Sequence, residues 1–133
     1  MTNIYTDMCA DLFHYGHVNL LKKAKQQGRN LIVGIHSDQT IESYKRKPIM
    51  TMDERIAVVE ACRYVDRVIP NAPLVITEEY MKNNKIDLVV HAHLEEEDEK
   101  YQKMYSIPTK LGKFRRLEYT PSISTTNIIS RFN

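Results

Sequence analysis

Cysteine is scarce: Cys9 and Cys62 are the only two in 133 residues. Two thiols build no disulfide framework, so a reduced, cytoplasmic setting is the default expectation. Glycine and proline are sparse too, at four and five residues, which leaves little room for a flexible linker. No apolar run approaches the length of a membrane span; Leu31 to Ile35 is typical. The N-terminus lacks a basic stretch followed by an apolar one, so no signal peptide is expected. Net charge is small, with 19 basic and 17 acidic side chains leaving +2. That balance argues against nucleic acid or a membrane surface as partner. There is no internal repeat and no low-complexity tract, and Glu95 to Glu99 is the only dense block of charge.

What remains fits one globular domain over residues 1–133, with 42% hydrophobic and 27% charged residues and enough length for a real core. Short β-type runs alternate with helical patterns. Strands are predicted at Ile4–Met8, Leu31–His36, Arg67–Pro70, Ile86–His91 and Phe114–Tyr119. Helices are predicted at His17–Gln27, Asp38–Tyr44, Thr77–Asn84, Glu97–Tyr105 and Ser124–Phe132. A further helix opens with the capping box Thr51-Met52-Asp53-Glu54. This alternation implies an α/β, Rossmann-like single domain: a mainly parallel sheet with helices on both faces. Ligands of such sheets bind beyond the carboxyl ends of the strands. His14 and His17, Ser37 and Asp38, His91 and His93, and Ser122 to Thr126 all fall at such ends.

The densest chemical signal is His14-Tyr15-Gly16-His17, at a predicted strand-to-helix turn. A helix N-terminus offers free N–H groups and a positive dipole end, which favours phosphate. Gly16 would let the backbone approach a ligand closely. Each imidazole can donate a hydrogen bond and can become cationic near neutral pH. An H-x-x-H pair is also half of many metal sites, and that reading stays open on these four residues alone.

Three ordered segments resemble one family. Asp11-Leu12-Phe13-His14-Tyr15-Gly16-His17 is similar to D-x-x-H-x-G-H, Arg63-Tyr64-Val65-Asp66 to R-Y-V-D, and Ile123-Ser124-Thr125-Thr126 to the end of R-T-x-G-I-S-T-T. These are signatures of the cytidylyltransferases that act on glycerol 3-phosphate, phosphocholine and phosphoethanolamine. Asn71-Ala72-Pro73 and the strand ending in His91 are closer to the phosphocholine and phosphoethanolamine branch. The resemblance implies a catalytic domain, commonly a homodimer, that transfers CMP from CTP to a phosphorylated alcohol and releases pyrophosphate with Mg²⁺. The acceptor would be a phosphorylated amino-alcohol or a related phosphonate such as 2-hydroxyethylphosphonate.

The same resemblance suggests roles. His14, His17, Lys47 and Arg63 would be catalytic. Cys9, Ala10, Asp11, Gly16, Ser124, Thr125 and Thr126 would bind the nucleotide, and Lys45, His91, His93 and Tyr101 the acceptor. Asp66 would be structural, and no residue is assigned as a metal ligand. Tyr101, Tyr105 and the acidic run would suit a cationic head group through cation–π contact.

The chain departs from the family at several points. Tyr119 and Ser122 replace an arginine and a glycine, with Arg115 and Arg116 the nearest substitutes for the lost charge. Met8-Cys9-Ala10 replaces the residues usual before Asp11, and His91-Ala92-His93-Leu94 replaces a glycine and acidic residues. These differences imply an altered acceptor pocket. Two other readings are an adenylyltransferase, since H-x-G-H is shared with that wider group, and a nucleotide-binding module without catalysis.

Overall fold

The protein, seen in a computed structural model, is described here for residues 2–121 and 123–132, so Ser122 lies outside the described residues. Strands β1 (Asn3–Met8), β2 (Asn30–Ile35), β3 (Arg67–Pro70), β4 (Leu88–Ala92) and β5 (Phe114–Leu117) form one sheet in the order β3-β2-β1-β4-β5. Every pairing is parallel; Ile4 stands beside both Leu31 and Leu88. Helices α1 (Tyr15–Lys25), α2 (Asp38–Glu42), α3 (Met52–Glu60), α4 (Glu78–Asn83), α5 (Asp98–Lys110) and α6 (Thr125–Ser130) fill the crossovers and the C-terminal segment. The expected architecture is therefore present, and the sheet is parallel throughout.

Side-chain alternation divides the core. One face gathers Ile4, Met8, Leu31, Val33, Val90 and Leu117 against Leu21, Ala24 and Val59 of α1 and α3. The opposite face gathers Tyr5, Ile32 and Val89 against Met81 and Tyr105 of α4 and α5. The register carries function too. Asp7, His36, His91 and His93 continue the second face, and Ala92 belongs with the first.

Three departures from the sequence reading have local causes. Helix α1 begins at Tyr15 rather than His17, because His14 is its N-cap and His17 its third residue. Helix α5 runs past Tyr105 to Lys110 but kinks there, where Tyr105 has φ −115° and ψ 16°. Pro108 has no N–H for the Met104 carbonyl, and the Ile76 N–H takes that carbonyl instead, at 3.1 Å. Strand β4 begins at Leu88, two residues later than expected. Asp66 is structural as expected: its Oδ2 accepts from the Leu31 N–H and the Lys25 ammonium, tying β2 to α1.

Candidate functional site

A cleft of about 490 Å³ opens at the carboxyl ends of β1 and β4. It is lined by Cys9, Asp11, His14, Gly16, His17, Lys45, Arg46, Ala92, Tyr119, Ser124, Thr125 and Thr126, among others. Residues from the start and the end of the chain thus meet. Asp11 makes the junction. Its Oδ2 and Oδ1 accept from the N–H groups of Ile49 and Met50 at 2.8 and 2.9 Å, and its carbonyl accepts from Thr125 Oγ1 at 2.9 Å. One buried residue therefore pins the α2–α3 loop and the start of α6 to the loop after β1. Asn19 adds a second tie, donating to Thr120 Oγ1 at 2.9 Å.

The two histidines cap their own helix. His14 Nδ1 accepts from the Gly16 N–H at 3.0 Å, and His17 Nδ1 accepts from the His14 N–H at 3.0 Å. A ring nitrogen that accepts from a backbone N–H carries no proton in the neutral imidazole, so the proton sits on Nε2. Both rings line the cleft with their tautomers fixed by the backbone, and each keeps an Nε2–H to donate. The rings lie 4.0 Å apart, centre to centre, and Phe13 stacks on His17. Gly16 lines the cleft and also serves the cap. A Cβ there would stand 2.9 Å from His14 Cε1 and 3.3 Å from Ile123 Cγ2, so its absence makes room for the capping ring.

Electrostatics correct the expectation that these rings become cationic near neutral pH. Burial, then the charges of His14 and Lys45, push His17 down to about 3 against the opposing pull of Asp11. Burial, then Arg131 and Lys45, lower His14. These imidazoles are neutral donors rather than cations near neutral pH. Burial also takes His91, on the other face, down to about 4. The unfolded chain therefore binds protons at His17 and His91 below about pH 6.5 that the folded chain refuses, which makes the folded state lose stability as pH falls. The unfolding free energy read from urea titrations should fall steadily between pH 7 and pH 4, by up to about 1.4 kcal/mol per pH unit for each buried ring, and the urea midpoint should fall with it. A level midpoint across that interval would contradict two buried neutral histidines.

The expected residues divide between the two faces. Lys45 lines the cleft, whereas Lys47 is exposed and is not among the lining residues. Arg63 lies beyond α3, exposed, its guanidinium 5.6 Å from the Tyr64 ring, and does not line the cleft. Ala10 is fully buried, with φ 60°, and is not among the cleft lining residues. Arg115 pairs with Gln27, and Arg116 with Asp98 and Glu95, so neither takes the place left by Tyr119. Arg131, one residue past α6, instead brings positive charge to His14. His91, His93 and Tyr101 do not line this cleft. They sit across β4, where His93 and Tyr101 line a second cleft of about 460 Å³ with residues of α5 and β5.

Nothing in the sequence pattern singles out Arg55. It is 0% exposed, and its guanidinium donates to the carbonyls of Cys9 and His36 at 2.8 Å each and to Asp38 Oδ1 at 2.6 Å. Its Nε reaches the Met50 carbonyl at 3.3 Å. It holds the ends of β1 and β2 against α2 and the α2–α3 loop.

Comparison with known proteins bears on the family and the fold. The family model described as cytidylyltransferase-like matches residues 5–131. A probable ethanolamine-phosphate cytidylyltransferase of Encephalitozoon cuniculi is 41% identical over 128 residues, covering 96% of this chain and 40% of that protein. Choline-phosphate cytidylyltransferase 2 of Arabidopsis thaliana is 38% identical, covering 96% of this chain and 43% of that protein. The chain thus spans less than half the length of these relatives. The solved lipopolysaccharide core biosynthesis protein of Thermoplasma volcanium superposes with a TM-score of 0.74 at 25% identity, over 90% of this chain and 98% of that one. On the family match across nearly its whole length and the identity to these relatives, the chain belongs to the cytidylyltransferase-like family.

Proposed function

We propose that this chain transfers CMP from CTP to a phosphorylated alcohol or a related phosphonate and releases pyrophosphate. The reading is carried by one observation: two Nε2–H donors, Lys45 and the start of α6 line a single cleft. An acceptor oxygen attacks the α-phosphorus in line, the bond to the β-phosphate oxygen breaks, and pyrophosphate leaves with the electron pair. The protein supplies position and charge stabilisation, and no enzyme nucleophile is needed. His14 and His17 donate to the triphosphate, Lys45 neutralises it, and Ser124, Thr125 and Thr126 bring hydroxyls near the phosphates. The names of the relatives support cytidine as the base and an alcohol phosphate as the acceptor.

Magnesium and a homodimer enter this reading from the family resemblance. The donor set does not fit a magnesium ion held by the protein. Asp11 is the carboxylate lining the cleft, and both its oxygens already accept backbone N–H groups. Among the described residues no cluster of three or more His, Cys, Asp or Glu suits a metal. A magnesium ion carried by the nucleotide phosphates is compatible with that arrangement. A cytoplasmic location is part of the same proposal; among the described residues no helix is long and apolar enough to cross a membrane.

The test is pyrophosphate release with CTP or ATP and a panel of acceptors. CTP should be preferred by about tenfold or more. A preference for ATP would move the chain to the adenylyltransferases, and tight CTP binding without turnover would leave a nucleotide-binding module.

A further inference from the structure

The cleft has two unlike walls. Its lining cations, Lys45 and Arg46, both stand on the loop between α2 and α3, which follows β2. Tyr119 and Thr120 line it from the segment after β5. In the sheet order β3-β2-β1-β4-β5, β2 and β5 lie on opposite sides of the β1–β4 pair. The cations and the phenol ring therefore enter the cleft from opposite sides.

The segment that carries Tyr119 is fastened before and after it by α1. The Glu118 carbonyl accepts from the Lys23 ammonium at 3.3 Å, and Thr120 Oγ1 accepts from the Asn19 amide at 2.9 Å. Asn19 and Lys23 belong to the second and third turns of a helix that begins at Tyr15. The free N–H groups that favour phosphate belong to the first turn. Tyr119 is thus held past the phosphate donors. Its companions in the lining include apolar side chains from three elements: Leu20 of α1, Ala92 at the end of β4, and Ile123 just before α6. The nearby cations are engaged elsewhere. Lys23 serves the Glu118 carbonyl, Arg115 pairs with Gln27, and Arg116 pairs with Asp98 and Glu95.

Tyr119 is the one Tyr, Phe or Trp among the described lining residues. It is 40% exposed, and its hydroxyl has no hydrogen-bond partner among the described residues. An aromatic ring held half-open among apolar side chains, away from the cations, is a platform for a flat ring rather than for phosphate.

We propose that Tyr119 is the nucleobase-contacting residue of this cleft, with its ring packed against the flat face of the base. The contact rests on the CMP-transfer reading above for the identity of the nucleotide. The triphosphate lies at His14, His17 and Lys45, and the ribose carries the base toward Ala92 and Tyr119. Stacking tolerates any base, because every base has a π-face. Tyr119 therefore supplies affinity for the nucleoside half, and the choice of base falls to other groups.

The experiment is calorimetric titration of CTP and of inorganic triphosphate into wild type, Tyr119→Ala and Tyr119→Phe. Tyr119→Ala should raise the Kd for CTP by about tenfold or more and leave that for inorganic triphosphate unchanged. Tyr119→Phe should bind CTP as wild type does, because the ring and not the hydroxyl makes the contact. Proton NMR of CTP gives a second reading. The two ring protons of cytosine should move upfield on binding to wild type and to Tyr119→Phe, and not on binding to Tyr119→Ala. An unchanged Kd for CTP in Tyr119→Ala overturns the proposal. So does an equal loss for inorganic triphosphate, or a Tyr119→Phe as weak as Tyr119→Ala, since each would put the hydroxyl on a phosphate. If the alanine variant does not fold, the wild-type NMR decides, and unshifted ring protons overturn the contact. Ring-dependent CTP binding without release of pyrophosphate would leave the contact standing and overturn the CMP-transfer reading instead.

Discussion

Replacing His17 with asparagine should lower kcat by roughly 10²–10³-fold and leave thermal stability nearly unchanged. The choice of asparagine follows from the cap. His17 Nδ1 accepts from the His14 N–H, so alanine would remove a helix cap along with a catalytic donor. Asparagine Oδ1 can keep the cap, while nothing replaces the Nε2–H that faces the cleft. If that donor acts on charge developing toward pyrophosphate, kcat and kcat/KM fall together; if it only holds CTP, KM rises alone. Steady-state kinetics with CTP varied separates the two, and a near-normal rate in a folded variant would remove His17 from the chemistry.

Arg55→Met should cost about 3–5 kcal/mol of stability, the usual penalty for breaking a buried charge network. The guanidinium is fully buried and serves three carbonyls and a carboxylate. Methionine fills part of the volume but leaves those carbonyls and Asp38 without their donor. The melting temperature should fall by on the order of 10 °C or more, read by calorimetry. Lysine should not rescue it, because one ammonium cannot span a planar fork of partners. Affinity for CTP should fall as well, since the Cys9 and Met50 carbonyls belong to segments that frame the cleft. A loss below about 1 kcal/mol would show that the network contributes little net stability.

The fold was legible because its signals are local. Leu31–Ile35 and Val89–Val90 are buried apolar runs, and Thr51 with Glu54 forms the capping box that their spacing announces. The meeting of the histidine turn with Ser124–Thr126 was also legible, because both fall at strand ends on one edge of a parallel sheet. Other features were hidden for physical reasons. An imidazole is not among the usual helix caps, so nothing in the sequence marks His14 as the start of α1. Arg55 sits on a helix where a charged residue reads as surface, and its burial is decided by carbonyls 19 and 46 residues away. Lys45 and Lys47 lie in an irregular loop with no period to say which faces inward. His91 and His93 were placed on one side of their strand by parity, but parity does not say which face of the sheet that side meets.

The bond between Thr125 and Asp11 closes a loop of 114 residues. A pocket walled by partners so distant in sequence exists only when the intervening sheet has assembled, since the entropy of closing such a loop must be met by everything packed between. Nucleotide capture is therefore a reporter of complete folding. Occupancy should in turn clasp the two extremities together, so that saturating CTP raises resistance to unfolding across the whole domain rather than at the cleft alone.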